Sequence, residues 1–307
     1  MTISKLEKIR SCDPGLLRAA VAKRRPIIIK GLIDDWLGSH WDFEKLTELM
    51  GAVEITALIN LPRASGGKLE GGQQIYESTM YFRDFVRLVH EADSAPCYLG
   101  YFKCESLVQC MNESFPFSTL ANTGNLASDT RLWVGSKGTC SGLHSDLKDN
   151  FFVQIKGNKL IYLAPFEDSP YLYPCVDNIV NSPVDLEWVD YLQFPKVAQA
   201  RIVTATMCPG DLIFIPKGWW HYLKSESASI SVNHWFGLPV SAREYLRMLI
   251  RLGSPYVSRA MKDMIRYGVK GEVYHKDFFF TPVSTGERLY NYLRYGDFSK
   301  ENDPAKD

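Results

Sequence analysis

No run of apolar residues in this 307-residue chain approaches the roughly 20 needed to cross a bilayer. Net charge is missing as well: 35 Lys and Arg stand against 35 Asp and Glu. A chain without net charge has no global attraction for polyanions, so contact with nucleic acid or a membrane would need a local patch. The first residues, Met1 to Glu7, carry neither the apolar core nor the small-residue cleavage site of a secretory signal. The seven cysteines are an odd number and are nowhere spaced as CxxC. They predict reduced thiols in a cytoplasmic protein rather than a disulfide frame or a zinc knuckle. Internal repeats and low-complexity tracts are also absent. These absences exclude a membrane protein, a disulfide scaffold, a coiled coil and a disordered chain. What is present is a composition 46% hydrophobic and 13% aromatic, enough for a large core and a deep pocket.

The first hundred residues alternate helix and strand signals. Asp13-Pro14 starts a helix whose apolar face is Leu16, Leu17, Ala20 and Val21. Pro26 to Gly31 follows as a buried strand closed by glycine. A second helix opens at Asp42, buries Phe43, Leu46, Leu49 and Met50, and stops at Gly51; Val53 to Ile59 then reads as strand. Ser65 to Gly72, with four glycines, is a loop beside which a substrate could be covered. Thr79 is expected to cap a third helix through Val89, and Cys97 to Phe102 returns as strand. From about Arg131 to Gly237 short strands recur, with turns at Lys156-Gly157-Asn158 and Pro209-Gly210-Asp211. That pattern predicts a sandwich, jelly roll or barrel. Two helical segments, Ala242 to Leu252 and Tyr256 to Tyr267, close the reading.

Chemistry concentrates in Leu143-His144-Ser145-Asp146. Residues two apart in a strand project to one face, so His144 and Asp146 can meet one ion. His221, in Trp219-Trp220-His221, is a third candidate. Two neutral imidazoles and one carboxylate on one side of a metal leave the opposite positions open, as a non-haem ferrous centre needs. On its own the HxD pair also fits a hydrogen-bonded pair at a strand end.

The surrounding motifs are more specific. His144-Ser145-Asp146 is followed by Asn150 to Lys159, Leu172-Tyr173-Pro174, Pro209 to Pro216, Trp219-Trp220-His221 and Ser231 to Trp235. Over residues 130 to 237 this order resembles the JmjC family, the cupin-like 2-oxoglutarate oxygenases. It looks closest to the small hydroxylases that include the hypoxia-inducible-factor asparaginyl hydroxylase and the tRNA wybutosine hydroxylase. The resemblance implies a mainly β fold, a double-stranded β-helix with an N-terminal α/β flank and C-terminal helices. It divides the chain into a catalytic domain, 1–240, and a helical extension, 241–307. It implies Fe(II), 2-oxoglutarate and dioxygen as cofactors, with His144, Asp146 and His221 as metal ligands. Lys159 would hold the distal carboxylate of 2-oxoglutarate with Ser141 and Tyr98 as hydroxyl donors to it, and Asn150 and Asn233 would line the co-substrate pocket. Trp219, Trp220 and Trp235 would support the pocket. The expected reaction is hydroxylation of an unactivated C–H bond, on a peptide or protein side chain in the preferred reading. An RNA nucleoside, a small metabolite, or a catalytically silent binding module are the alternatives. Residues 243–270 carry seven Arg or Lys against two acids, which suits an anionic partner such as RNA or an acidic peptide, or simply a solvated helix face. The same segment offers apolar stripes at helical spacing, and the resemblance implies a homodimer through them; packing within one chain is the equal alternative.

Overall fold

A computed structural model describes residues 2–62, 68–91, 95–103, 107, 117–121, 128–275, 283–296 and 298. Two sheets face one another. The smaller has the strand order β1 (Thr2–Lys5), β12 (Arg201–Met207), β10 (Lys159–Ala164), β14 (Trp220–Ser225), β8 (Leu143–Ser145) and β11 (Asn181–Ser182). The larger runs β2 (Lys8–Arg10), β3 (Ile27–Lys30), β13 (Asp211–Ile215), β9 (Asp149–Lys156), β15 (Ser229–Phe236), β7 (Asp129–Gly135), β6 (Tyr98–Lys103), β4 (Glu54–Leu58) and β5 (Glu77–Tyr81). Their antiparallel centres make the jelly roll that the turn spacing predicts. The flanking N-terminal strands are built into the sheets: β1 pairs with β12 at the edge of the smaller one, and β2 to β6 belong to the larger. β3 pairs with β13 and β6 pairs with β7, so they extend the larger sheet at both ends.

β9 shows how sequence becomes layer. Phe151, Val153 and Ile155 join an apolar cluster on the outer face, against Leu17 of α1 (Pro14–Lys23), Leu46 of α2 (Phe43–Met50) and Phe85 of α3 (Phe82–His90). Asn150, Phe152 and Gln154 point between the sheets by alternation. Both faces are covered, so burial runs unbroken from Asn150 to Ile155 rather than alternating. Phe152, Ile161, Leu163, Ile213 and Ile215 fill one end of the space between the sheets. The other end is left for a cavity.

The helix starts at Asp13 and Asp42 form as the sequence predicts, each carboxylate accepting a backbone N–H of the first turn. Thr79 is different. It lies in β5, its Oγ1 3.3 Å from that of Thr56 across the ladder, and α3 begins at Phe82 without a side-chain cap. A β-branched residue facing a β-branched partner is better placed in a strand than at a cap. In the glycine-rich loop, residues 65–67 lie outside the described residues; Leu69 is buried beside Tyr98 and Trp133.

After a short α4 (Phe117–Ala121), the C-terminal helices are α5 (Ala242–Leu252), α6 (Ser254–Asp263), which continues into π-type turns at Met264–Val269, and α7 (Thr285–Tyr295). Tyr245, Met248, Leu249, Ala260 and Leu289 share a buried cluster with Ile179, Val180 and Val240. These helices therefore pack on the loop that precedes β11, beside the cavity. Leu246, Ile250, Met261 and Ile265 remain exposed, so packing within one chain accounts for only part of the apolar stripes. Among the described residues no helix is long and apolar enough to cross a membrane.

Candidate metal centre and cavity

A cavity of about 460 Å³ opens between the sheets. Cross-strand register places His144 of β8 directly opposite His221 of β14, with ring centroids 4.1 Å apart. Asp146 lies one residue beyond β8, with Oδ2 3.6 Å from His221 Nε2. The three side chains offer donor atoms all within 4.8 Å of one another. His144 Nδ1 donates to the Gly142 carbonyl and His221 Nδ1 to the Trp219 carbonyl, each at 3.1 Å. A carbonyl can only accept, so both rings carry their proton on Nδ1 and present the Nε2 lone pair to the shared point. Burial, reinforced by the neighbouring His144 and opposed by Asp146, pulls His221 down to about 4. At neutral pH it is uncharged and ready to ligate.

Asp146 is oriented by two donors. Trp235 Nε1 reaches Oδ2 at 2.7 Å and Asn150 Nδ2 reaches it at 3.1 Å, while Asn233 Nδ2 donates to Asn150 Oδ1 at 3.1 Å. Asn150 and Asn233 are thus a relay that sets the carboxylate, a role beyond lining the cavity. Trp235→Phe removes one donor without changing the ring wall, and outer hydrogen bonds of this kind are worth about 10–100-fold in metal affinity. We expect a loss in that range by Fe(II) titration, with the circular dichroism spectrum unchanged.

Lys159 is 3% exposed and lines the same cavity. Its Nζ lies 3.5 Å from the Tyr98 hydroxyl and 5.4 Å from the rings of Tyr98 and Phe152. No carboxylate pairs with it among the described residues, and desolvation alone lowers it to about 7. Burial likewise raises the Tyr98 phenol far above its usual range, so it stays a neutral hydroxyl. Ser141 lines the cavity, its Oγ accepting from Leu223 N at 3.2 Å and lying 3.3 Å from the Gly142 carbonyl. A buried ammonium beside the Tyr98 hydroxyl, with no carboxylate partner among the described residues, has the chemistry to receive a carboxylate.

The three tryptophans expected to support the pocket lie in different places. Trp235 lines the cavity. Trp220, next to His221 in β14, points to the opposite face, where its Nε1 donates to Ser169 Oγ at 2.8 Å amid Leu172 and Val184. Trp219 packs against the apolar end layer rather than the cavity, and serves His221 through its carbonyl. Strand alternation separates Trp220 from the cavity: the immediate neighbour of an inward-facing histidine faces outward. The sequence reading missed Arg131, which is held by Asp129 through three contacts of 2.8–2.9 Å, and Tyr101, Trp133, Arg288 and Phe298, all of which line the cavity. Arg243, Arg247 and Arg251 are exposed on α5 and are not among the lining residues.

The model of a cupin-like domain matches residues 15–241. The chain belongs to the cupin-like JmjC family. The JmjC chain is 26% identical over 220 residues to lysine-specific demethylase 8 of Xenopus tropicalis, covering 69% of this chain and 48% of that relative. It is 29% identical over 221 residues to Jumonji C domain-containing protein 5 of Drosophila melanogaster, covering 69% and 54%. It is also 26% identical over 240 residues to human HSPB1-associated protein 1, covering 70% and 48%. The chain spans about half the length of the curated relatives it matches. JmjC cofactors are Fe(II), 2-oxoglutarate and dioxygen, and two imidazoles with one carboxylate suit Fe(II) with open positions better than a closed structural zinc.

Proposed function

We propose that this JmjC protein is an Fe(II)- and 2-oxoglutarate-dependent hydroxylase acting on a C–H bond of a peptide or protein side chain. One observation carries the reading: three metal-type donors converge on a point in the same cavity whose wall holds the unpaired Lys159. His144, Asp146 and His221 would hold the metal, and Lys159 with Tyr98 and Ser141 would hold the distal carboxylate of 2-oxoglutarate. The bound cofactors supply an oxidant that places one oxygen atom of dioxygen on substrate and the other in succinate, with release of carbon dioxide. The chain's own task is positioning. Asn150 and Trp235 fix the Asp146 carboxylate, backbone carbonyls fix both imidazoles, and the aromatic wall of Tyr101, Trp133 and Trp235 keeps water from the reacting end. Relatives named as lysine-specific demethylases and as an HSPB1-associated protein support a protein substrate.

The test is incubation with Fe(II), 2-oxoglutarate and a randomised peptide library under air. Succinate formation together with +16 Da peptides is the expected result. Failure of the anaerobic protein to give the visible charge-transfer band of a 2-oxoglutarate chelate would favour the silent binding module. The exposed Leu246, Ile250, Met261 and Ile265 support a homodimer through α5 and α6. Light scattering at micromolar concentration should give twice the monomer mass, and a monomer mass overturns it.

A further inference from the structure

The cavity holds a second buried cation that the proposed cofactors do not use. Arg288, on α7, lines the cavity and is 8% exposed. Among the described residues it makes no ion pair or side-chain hydrogen bond, and its Nε is buried without a partner. The adjacent Glu287 feels its charge but forms no ion pair with it. The wall of the same cavity also includes Leu147, Val180, Pro239 and Phe298, which offer no anion. A guanidinium withdrawn from water into such surroundings is costly unless an anion joins it.

The charges inside the cavity leave Arg288 over. A divalent metal and Lys159 together balance Asp146 and the two carboxylates of 2-oxoglutarate. Arg131 is balanced by Asp129, and Lys148 has an interaction of its own. The position of Arg288 is also built in. Ser284 caps α7 by accepting from Glu287 N at 3.1 Å. Thr285 N donates to the Asp177 carbonyl at 2.9 Å, and Thr285 Oγ1 accepts from Ile179 N at 3.0 Å. That tethers the helix to the loop leading into Asn181, which pairs in register with His144. At Gly286 a side chain would meet Met264 N at 2.3 Å and Ala260 O at 2.4 Å, so the helix sits in backbone contact with α6. The cation is preorganised before any ligand arrives.

We propose that Arg288 is a substrate-specificity residue which pairs with a carboxylate of the peptide, an Asp or Glu side chain or a free C-terminus, at a fixed offset from the hydroxylated residue. The inference rests on the peptide-hydroxylase reading above. A single buried planar guanidinium matches one carboxylate bidentately. A nucleic-acid backbone would call for several cations, and the exposed Arg243, Arg247 and Arg251 do not line this cavity.

The experiment uses the full chain with Fe(II), 2-oxoglutarate and a randomised decapeptide library, in parallel with a randomised RNA oligonucleotide pool. Wild type should yield +16 Da peptides enriched in an acidic residue, or a terminal carboxylate, at one offset. Arg288→Gln should erase the enrichment at least tenfold, Arg288→Lys should retain part of it, and the KM for 2-oxoglutarate should not move. Capping the peptide C-terminus as an amide separates the two carboxylate sources. An activity-independent reading follows from calorimetry on the Mn(II)-loaded protein: the enriched peptide should bind wild type about tenfold tighter than its Asn or Gln counterpart, and Arg288→Gln equally. Because no internal partner is lost, the Tm of Arg288→Gln should equal or exceed that of wild type; a fall would mark a structural role and overturn the assignment. Hydroxylated peptides without acidic enrichment overturn Arg288's role while leaving the peptide reading intact. Turnover of 2-oxoglutarate with no hydroxylated peptide overturns both, and +16 Da RNA lost in Arg288→Gln moves the anion to a phosphate.

Discussion

Asp146→Ala should bind no Fe(II) at concentrations that saturate wild type, and its 2-oxoglutarate turnover should fall below detection. Deleting a donor outright must exceed the roughly 10–100-fold that follows loss of an outer hydrogen bond to a ligand. Two histidines alone also leave the centre without its hard oxygen and its negative charge. The substitution strands the Trp235 indole N–H and the Asn150 amide, which both donate to Asp146 Oδ2. Each buried donor left without an acceptor costs about 1–3 kcal/mol, so a lower Tm is expected and would confuse a simple activity assay. Asp146→Asn separates the effects. Its carbonyl oxygen still accepts from Trp235, so stability should stay near wild type, while metal affinity falls with the lost charge. Anaerobic titration with Fe(II) and 2-oxoglutarate, read by the charge-transfer band and by metal content after desalting, makes the comparison. Wild-type affinity in Asp146→Ala would show that His144, Asp146 and His221 are a hydrogen-bonded cluster and not a metal centre.

The legible parts of this molecule are those where one local rule decides. Asp13-Pro14 and Asp42 announce helices because a carboxylate satisfies free N–H groups wherever the chain goes next. His144 and Asp146 share a face because strand alternation has a period of two. The approach of His221 to them depends on pairing between β8 and β14 across 77 residues of chain, which no local rule supplies; the family resemblance carried that inference. Trp220, expected as support beside a ligand, lies on the far side of the strand because alternation turns the neighbour of His221 outward. Thr79 misled because capping and strand pairing compete for the same hydroxyl residue, and the register with Thr56 wins. α7 was readable in part: Ser284-Thr285-Gly286-Glu287 has the spacing of a capping motif. That Arg288 then faces the cavity follows from tertiary packing at Gly286 and Thr285, which sequence spacing does not encode.

Lys159 should make 2-oxoglutarate binding weaken as pH rises through 7. In the free protein, burial holds the ammonium down at about 7 against an ordinary value of 10.5. Between those values the unfolded chain carries a proton that the folded chain lacks, so this group makes the empty protein more stable as pH rises from 7 to 10.5. Below 7 both states are protonated and the full cost of burying the charge remains. A bound carboxylate reverses the preference by favouring the ammonium. Binding therefore takes up a proton above pH 7, and the Kd for 2-oxoglutarate should rise about tenfold per pH unit there while staying level below it. Lys159→Met leaves the incoming carboxylate unpaired in a buried site, a loss of about 3–5 kcal/mol by analogy with broken buried ion pairs, or two to three and a half orders of magnitude in affinity. It should also flatten the pH dependence, since the titrating group is gone. Calorimetry with the Mn(II)-loaded protein from pH 6 to 9 measures both effects. A wild-type Kd that is level to pH 9, or a Lys159→Met protein that binds as wild type, would mean that the ammonium faces something other than the co-substrate.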